Sequence, residues 1–239
     1  MSDAAPPPEE PKMEIHKPHA AKTWKEFFIE LGTIVLGILI ALGLEQSAEA
    51  IHERQLAREA EAAIREEMAE NASRLQYRLG NQACIGRRLD EISALLAGWA
   101  NGKDFPAGLQ IGQPGDIVLN DQRWQANLNS GRFSRESQAS QAEQTGFYTL
   151  LHVIDALVHD EMVTWDQLRA LAQGSQFLTP AYRPRLVEAL MTARARADTI
   201  GLLGGDILRR SKAQNLPTYM GFHPVMGGTA CQPLTGGGK

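Results

Sequence analysis

Residues 27–44 read FFIELGTIVLGILIALGL, and no other run in the chain is as long or as apolar. As a helix, about 18 residues rising 1.5 Å each span roughly 27 Å, close to the thickness of a bilayer hydrocarbon core. The run therefore predicts a transmembrane anchor. Its one charge, Glu30, lies a turn inside the end nearer the N-terminus, where an interfacial carboxylate costs far less than one at the bilayer centre.

Orientation follows from Lys and Arg near the span. Lys12, Lys17, Lys22 and Lys25 precede it, whereas a comparable stretch after it holds only Arg54 and Arg58. The expected topology is single-pass in a bacterial inner membrane, with a cytoplasmic N-terminus and a periplasmic C-terminal domain. A cleaved signal peptide is the competing reading, because Ala48-Glu49-Ala50 has the small-x-small form of a cleavage site. Against it stand the length of the apolar run, the absence of a compact basic segment before it, and a helical pattern that continues through the site.

That pattern continues without Gly or Pro to Leu79. Ala60, Ile64, Met68, Ala72, Leu75 and Leu79 step by three and four, giving one apolar stripe along a helix, and Gly80-Asn81 marks a stop or kink. A second helix is expected from about Gln82 to Ala100, through Ile85, Leu89, Ile92 and Leu96. Residues 103–121, with Pro106, Gly108, Gly112, Pro114 and Gly115, read as an irregular loop or a small hairpin pairing Leu109–Ile111 with Ile117–Leu119.

Asn120 or Asp121 is placed to cap a short helix through Trp124 and Leu128, closed by Gly131. A long helix follows from about Ser134 or Ser140, where Ser140-Gln141-Ala142-Glu143 has capping-box form. Its stripe is Phe147, Leu151, Ile154, Val158, Met162 and Trp165. The last helix starts near Pro180 or Pro184 and carries Leu186, Leu190, Ala193, Ala197, Ile200, Leu203 and Ile207. The fold class is all-α: the anchor runs into an antiparallel bundle of about four helices. The expected organisation is a disordered cytoplasmic tail (1–23), the anchor (24–45), a periplasmic helical domain (46–212) and a flexible C-terminal tail (213–239).

Several patches carry a resemblance. Phe27-Phe28-Ile29-Glu30 through Gly37-Ile38-Leu39-Ile40-Ala41-Leu42, with Arg65-Glu66-Glu67, Glu70-Asn71, Arg74-Leu75 and Trp124-Gln125-Ala126-Asn127-Leu128-Asn129-Ser130-Gly131, resemble an uncharacterised group of small single-pass bacterial envelope proteins. The resemblance covers about half the chain in scattered patches. It implies an all-helical domain anchored in a bacterial inner membrane, and transfers no functional residue.

The net charge of −4 over 239 residues gives no basic face for nucleic acid. Cys84 and Cys231 are a candidate disulfide in an oxidising compartment and two free thiols otherwise. Thr33, Gly37 and Ala41 repeat every four residues, a small-xxx-small stripe through which two anchors could pack into a homo-oligomer. His152, Asp155, His159 and Asp166 share one face of the long helix and carry metal-ligand chemistry. Their spacing matches neither His-Glu-x-x-His nor Glu-x-x-His, so a solvated face is the expectation and neither metal nor cofactor is assigned. No nucleophile elbow, phosphate loop or dinucleotide fingerprint occurs. The functional expectation is a non-enzymatic scaffold that contacts the bilayer and an envelope protein of unknown identity. The alternatives are a ligand-sensing domain and, behind it, a metal-dependent hydrolase or metal carrier.

Overall fold

The computed structural model describes residues 23–219 and 228–235. The expected disordered tail, all but Thr23, lies outside the described residues, as does part of the expected C-terminal tail. Five α-helices are present among the described residues: α1 (Trp24–Gly80), α2 (Gln82–Ala100), α3 (Gln122–Asn129), α4 (Gln138–Leu168) and α5 (Arg183–Ala213). The chain divides into two compact units, residues 1–55 and 56–239.

In the first unit every described residue is exposed. The side chains left bare include Phe28, Ile34, Leu36, Leu39 and Leu44, and the helix contains a window of mean hydropathy 2.4 of which none is buried. It is long and apolar enough to cross a membrane. Thr33 and Ser47 donate their hydroxyls to the carbonyls of Ile29 and Gly43 four residues back, so neither leaves an unpaired donor on the apolar surface.

The second unit is an all-α bundle. Contacts along α5 fix its register: Arg65 reaches Gln214, Leu79 packs on Gly204, Gln82 donates to the Ala197 carbonyl, and Asp90 pairs with Arg194. Sequence numbers rise on one side as they fall on the other, straight through the α1–α2 junction. The break at Asn81 (φ −94°, ψ 1°) is a single residue close to helical geometry, too slight to reverse the chain. The end of α1 and the whole of α2 thus follow one another along the same α4–α5 pair, antiparallel to α5. The kink expected at Gly80-Asn81 joins them without a hairpin.

Two apolar clusters fill this arrangement. One joins Ile64, Met68 and Leu75 of α1 to Phe147, Leu151, Ile154 and Val158 of α4 and Ile200 and Ile207 of α5. The other joins Ile85, Leu89 and Ile92 of α2 to Trp165 and Leu168 of α4 and Leu186, Ala193 and Ala197 of α5. Each fully buried Leu, Ile or Phe contributes about 1.5–3 kcal/mol relative to an exposed one. At the seam, between Val158 and Trp165, sits Glu161, bound by both carboxylate oxygens to Nη2 of Arg78 at 2.7 and 2.9 Å. Both side chains are 1% exposed.

Residues 103–121 take the irregular form; the hairpin alternative does not occur. Leu109 forms an isolated antiparallel bridge with Thr235, Gln110 donates its amide to the Leu234 carbonyl at 2.7 Å, and the Thr229 and Ala230 amides converge on the Gln113 carbonyl. The loop pairs with the far C-terminus because Leu109 and Ile111 are buried against α2, while Ile117 joins the other cluster. Gly112 permits this approach: a Cβ there would lie 2.1 Å from the Thr229 carbonyl oxygen.

The start of α4 also differs from the capping-box reading. Ser137 is the N-cap and its hydroxyl accepts the Ser140 amide, while Ser140 donates its own hydroxyl to Glu136. Ser134 lies in a separate 3-10 turn, Phe133–Arg135.

Candidate functional site

Two patches distant in sequence meet where α1 crosses the start of α3. Asp121 occupies the N-cap position, but its side chain does not cap α3. The cap comes from another helix: Glu67, 3% exposed, accepts the amides of Arg123 at 2.8 Å and Trp124 at 3.2 Å. A carboxylate here satisfies two orphan amides and meets the positive end of the helix dipole.

Asn71, one turn along α1, donates to the Asn120 carbonyl at 2.6 Å and accepts the Asn120 amide at 2.9 Å. Arg123 reaches back to Glu66 at 2.7 Å. Tyr148 of α4 closes the junction, stacking on Trp124 with centroids 4.9 Å apart and donating its hydroxyl to Glu67 at 2.7 Å. Burial, then the hydrogen bond to Glu67 and its charge, push the Tyr148 phenol far above its usual range. It stays a neutral donor. Glu66, Glu67, Glu70 and Asn71 of α1 thus meet Asn120, Arg123 and Trp124 in one polar joint.

Released from capping, Asp121 faces His152 of α4, with Nε2 to Oδ2 at 2.8 Å, and also accepts from Gln125. Burial opposes its ionisation, but the hydrogen bonds from Gln125 and His152 and the His152 charge outweigh it and hold the carboxyl below its usual value. Asp155, His159 and Asp166 line a cleft of about 540 Å³ with Asp116 and Arg169. Asp166 is taken up by Arg169, one turn on. His152 is held by Asp121 and is not among the residues lining that cleft. Among the described residues no three His, Cys, Asp or Glu side chains are grouped to hold a metal ion.

Cys84 and Cys231 are joined as a disulfide, with Cα atoms 4.9 Å apart. The bridge ties residues 228–235 to α2. Beside it, buried Arg88 donates to the carbonyls of Gln110 and Gln232, fastening loop and C-terminal segment to the same helix. In the first unit, Thr33, Gly37 and Ala41 remain exposed, and a Cβ added at Gly37 would meet nothing within 4 Å.

Arg78 and Glu161 were not singled out from sequence, and Glu67 and Asn71 were named there only within the resemblance, with no buried role assigned. The signal was their phase: Glu67 lies three residues after Ile64, Asn71 after Met68, Arg78 after Leu75 and Glu161 after Val158. Each polar group falls on its helix's apolar stripe, where it needs a partner.

These features define an all-α bundle protein with, among the described residues, one helix long and apolar enough to cross a membrane. Compared with protein-family models, curated proteins and solved structures, the chain matches none.

Proposed function

We propose that this protein is a single-pass, membrane-anchored helical scaffold of a bacterial envelope, with residues 1–23 in the cytoplasm and residues from about 46 onward in the periplasm, where the bundle binds a protein partner. The observation that carries the reading is the bare apolar surface of residues 27–44. Side chains such as Leu36 and Leu39 find no cover in the protein, and a lipid surround removes that cost.

Two further features support it. A disulfide suits an oxidising compartment better than the cytoplasm, and the Lys residues before the span keep that end inside. The buried joints at Glu67 and Arg78 make a stiff body, suited to presenting a fixed surface. The test is alkaline carbonate extraction of native membranes, followed by photo-crosslinking from positions on the exposed faces of α4 and α5. The expected result is a chain retained in the pellet and one discrete crosslinked protein. Release into the supernatant refutes the anchor, and absence of any crosslink from those faces refutes the scaffold.

A further inference from the structure

We propose that the cleft between α4 and α5 binds a short peptide of about three residues by its two charged termini. The cleft has a volume of about 600 Å³, within the range of small-molecule sites. Its floor is apolar, formed by Leu186 and Ala189, and its polar groups come from both helices.

Along α5 the lining runs Glu188, Thr192, Arg196, four residues apart and therefore on one face. At 1.5 Å per residue the two backbone positions, Glu188 and Arg196, stand roughly 12 Å apart along the axis. An extended tripeptide spans roughly 10 Å between its amine and its carboxylate. The ladder matches it: acid for the amine, base for the carboxylate, hydroxyl between for the peptide groups.

The states of the two end groups fit this use. Arg196 is fixed from α4, donating from Nη1 to the Asp160 carbonyl and the Thr164 hydroxyl, with Nη2 3.4 Å from the Asp160 carboxylate. Its Nε–H and one Nη2–H remain for a ligand carboxylate. At the other end Arg185 lies one turn from Glu188, yet its guanidinium rests over the Tyr182 ring, 5.9 Å from the centroid. No ion pair or hydrogen bond engages Glu188 among the described residues, and it is the one carboxylate lining the cleft. Gln167 lines the cleft from α4, likewise without a hydrogen-bond partner among the described residues, supplying a donor and an acceptor to the ligand. The inference does not depend on the membrane reading, since every residue lies in the second unit.

The experiment is isothermal titration of the full-length chain in detergent micelles with a panel of Ala-X-Ala tripeptides bearing free termini. Each member that binds is repeated as its N-acetyl and its C-amide form. At least one free tripeptide should saturate the protein, and blocking either terminus should weaken it by about tenfold or more, the scale of one lost charge-assisted contact. Glu188→Gln, which breaks no hydrogen bond or ion pair among the described residues, should weaken the free peptide while leaving its N-acetyl form unchanged. Arg196→Lys, which keeps a positive charge at this position of α5, should affect the free peptide more than its C-amide. Failure of every tripeptide to bind overturns the proposal. So does equal affinity for free and blocked forms, or a Glu188→Gln protein that binds like the wild type.

Discussion

The buried pair Arg78–Glu161 supplies the sharpest prediction about the fold. Both side chains are 1% exposed, and they lie at the junction of the two apolar clusters, with Arg78 also donating to Gln82 and Gln82 to the Ala197 carbonyl. Glu161→Gln leaves a guanidinium charge without its counter-ion in the core, and Arg78→Met leaves a carboxylate. Each single change should cost about 3–5 kcal/mol. The double replacement Arg78→Met with Glu161→Leu removes both charges together. Besides the pair itself it sacrifices the Gln82 hydrogen bond, about 1.5–3 kcal/mol for a charged donor, and the pair as found leaves Arg78 Nε without a hydrogen bond.

The double variant should therefore be more stable than either single one, with a coupling of about 3 kcal/mol or more. Urea unfolding of the full-length chain in micelles measures this, followed by tryptophan fluorescence, to which the fully buried Trp165 on the same helix contributes. Losses below about 1 kcal/mol for both single variants, or a double variant as damaged as their sum, would refute the reasoning.

Reduction of Cys84–Cys231 opens a closure with a sequence separation of 147, which the chain-entropy relation converts to about 5 kcal/mol, so the thermal midpoint should fall by roughly 10 °C or more; an unchanged midpoint contradicts the constraint. Gly112→Ala drives a methyl against the Thr229 carbonyl, so residues 228–235 should become open to limited proteolysis, at a cost of about 1–3 kcal/mol. Wild-type cleavage kinetics in that variant count against the close approach. Asp121 is held below its usual carboxyl value, so its contribution is complete above the unfolded-state value, about pH 4, and is lost as pH falls through the folded value. Asp121→Asn should flatten the acid limb of thermal midpoint against pH. Parallel curves for the two proteins would exclude it.

The helical architecture was legible because apolar residues recur at helical spacing with breakers at Gly80-Asn81 and Asn101-Gly102. The path of α2 was not. Periodicity says which face is buried and is silent on whether a one-residue break turns the chain or merely bends it. The hairpin reading of 103–121 failed for a related reason: Leu109 and Ile111 alternate as strand residues do, but their partner, Thr229–Thr235, lies more than a hundred residues away. The cap on α3 shows the same limit. Asp121 has the right chemistry in the right place, yet Glu67 of α1 takes the amides and leaves Asp121 to His152. Local rules named the acceptor type; tertiary packing chose the residue.

The central claim, an uncleaved anchor with the bundle outside the cytoplasm, is tested most directly by protease protection. Spheroplasts carrying the full-length chain are treated with an external protease, and the protected fragment is measured by intact mass. The account predicts that residues beyond about 46 are digested while a fragment beginning at the original N-terminus and containing the span survives. A chain wholly protected from external protease, or a mature protein beginning at Ile51, would contradict it.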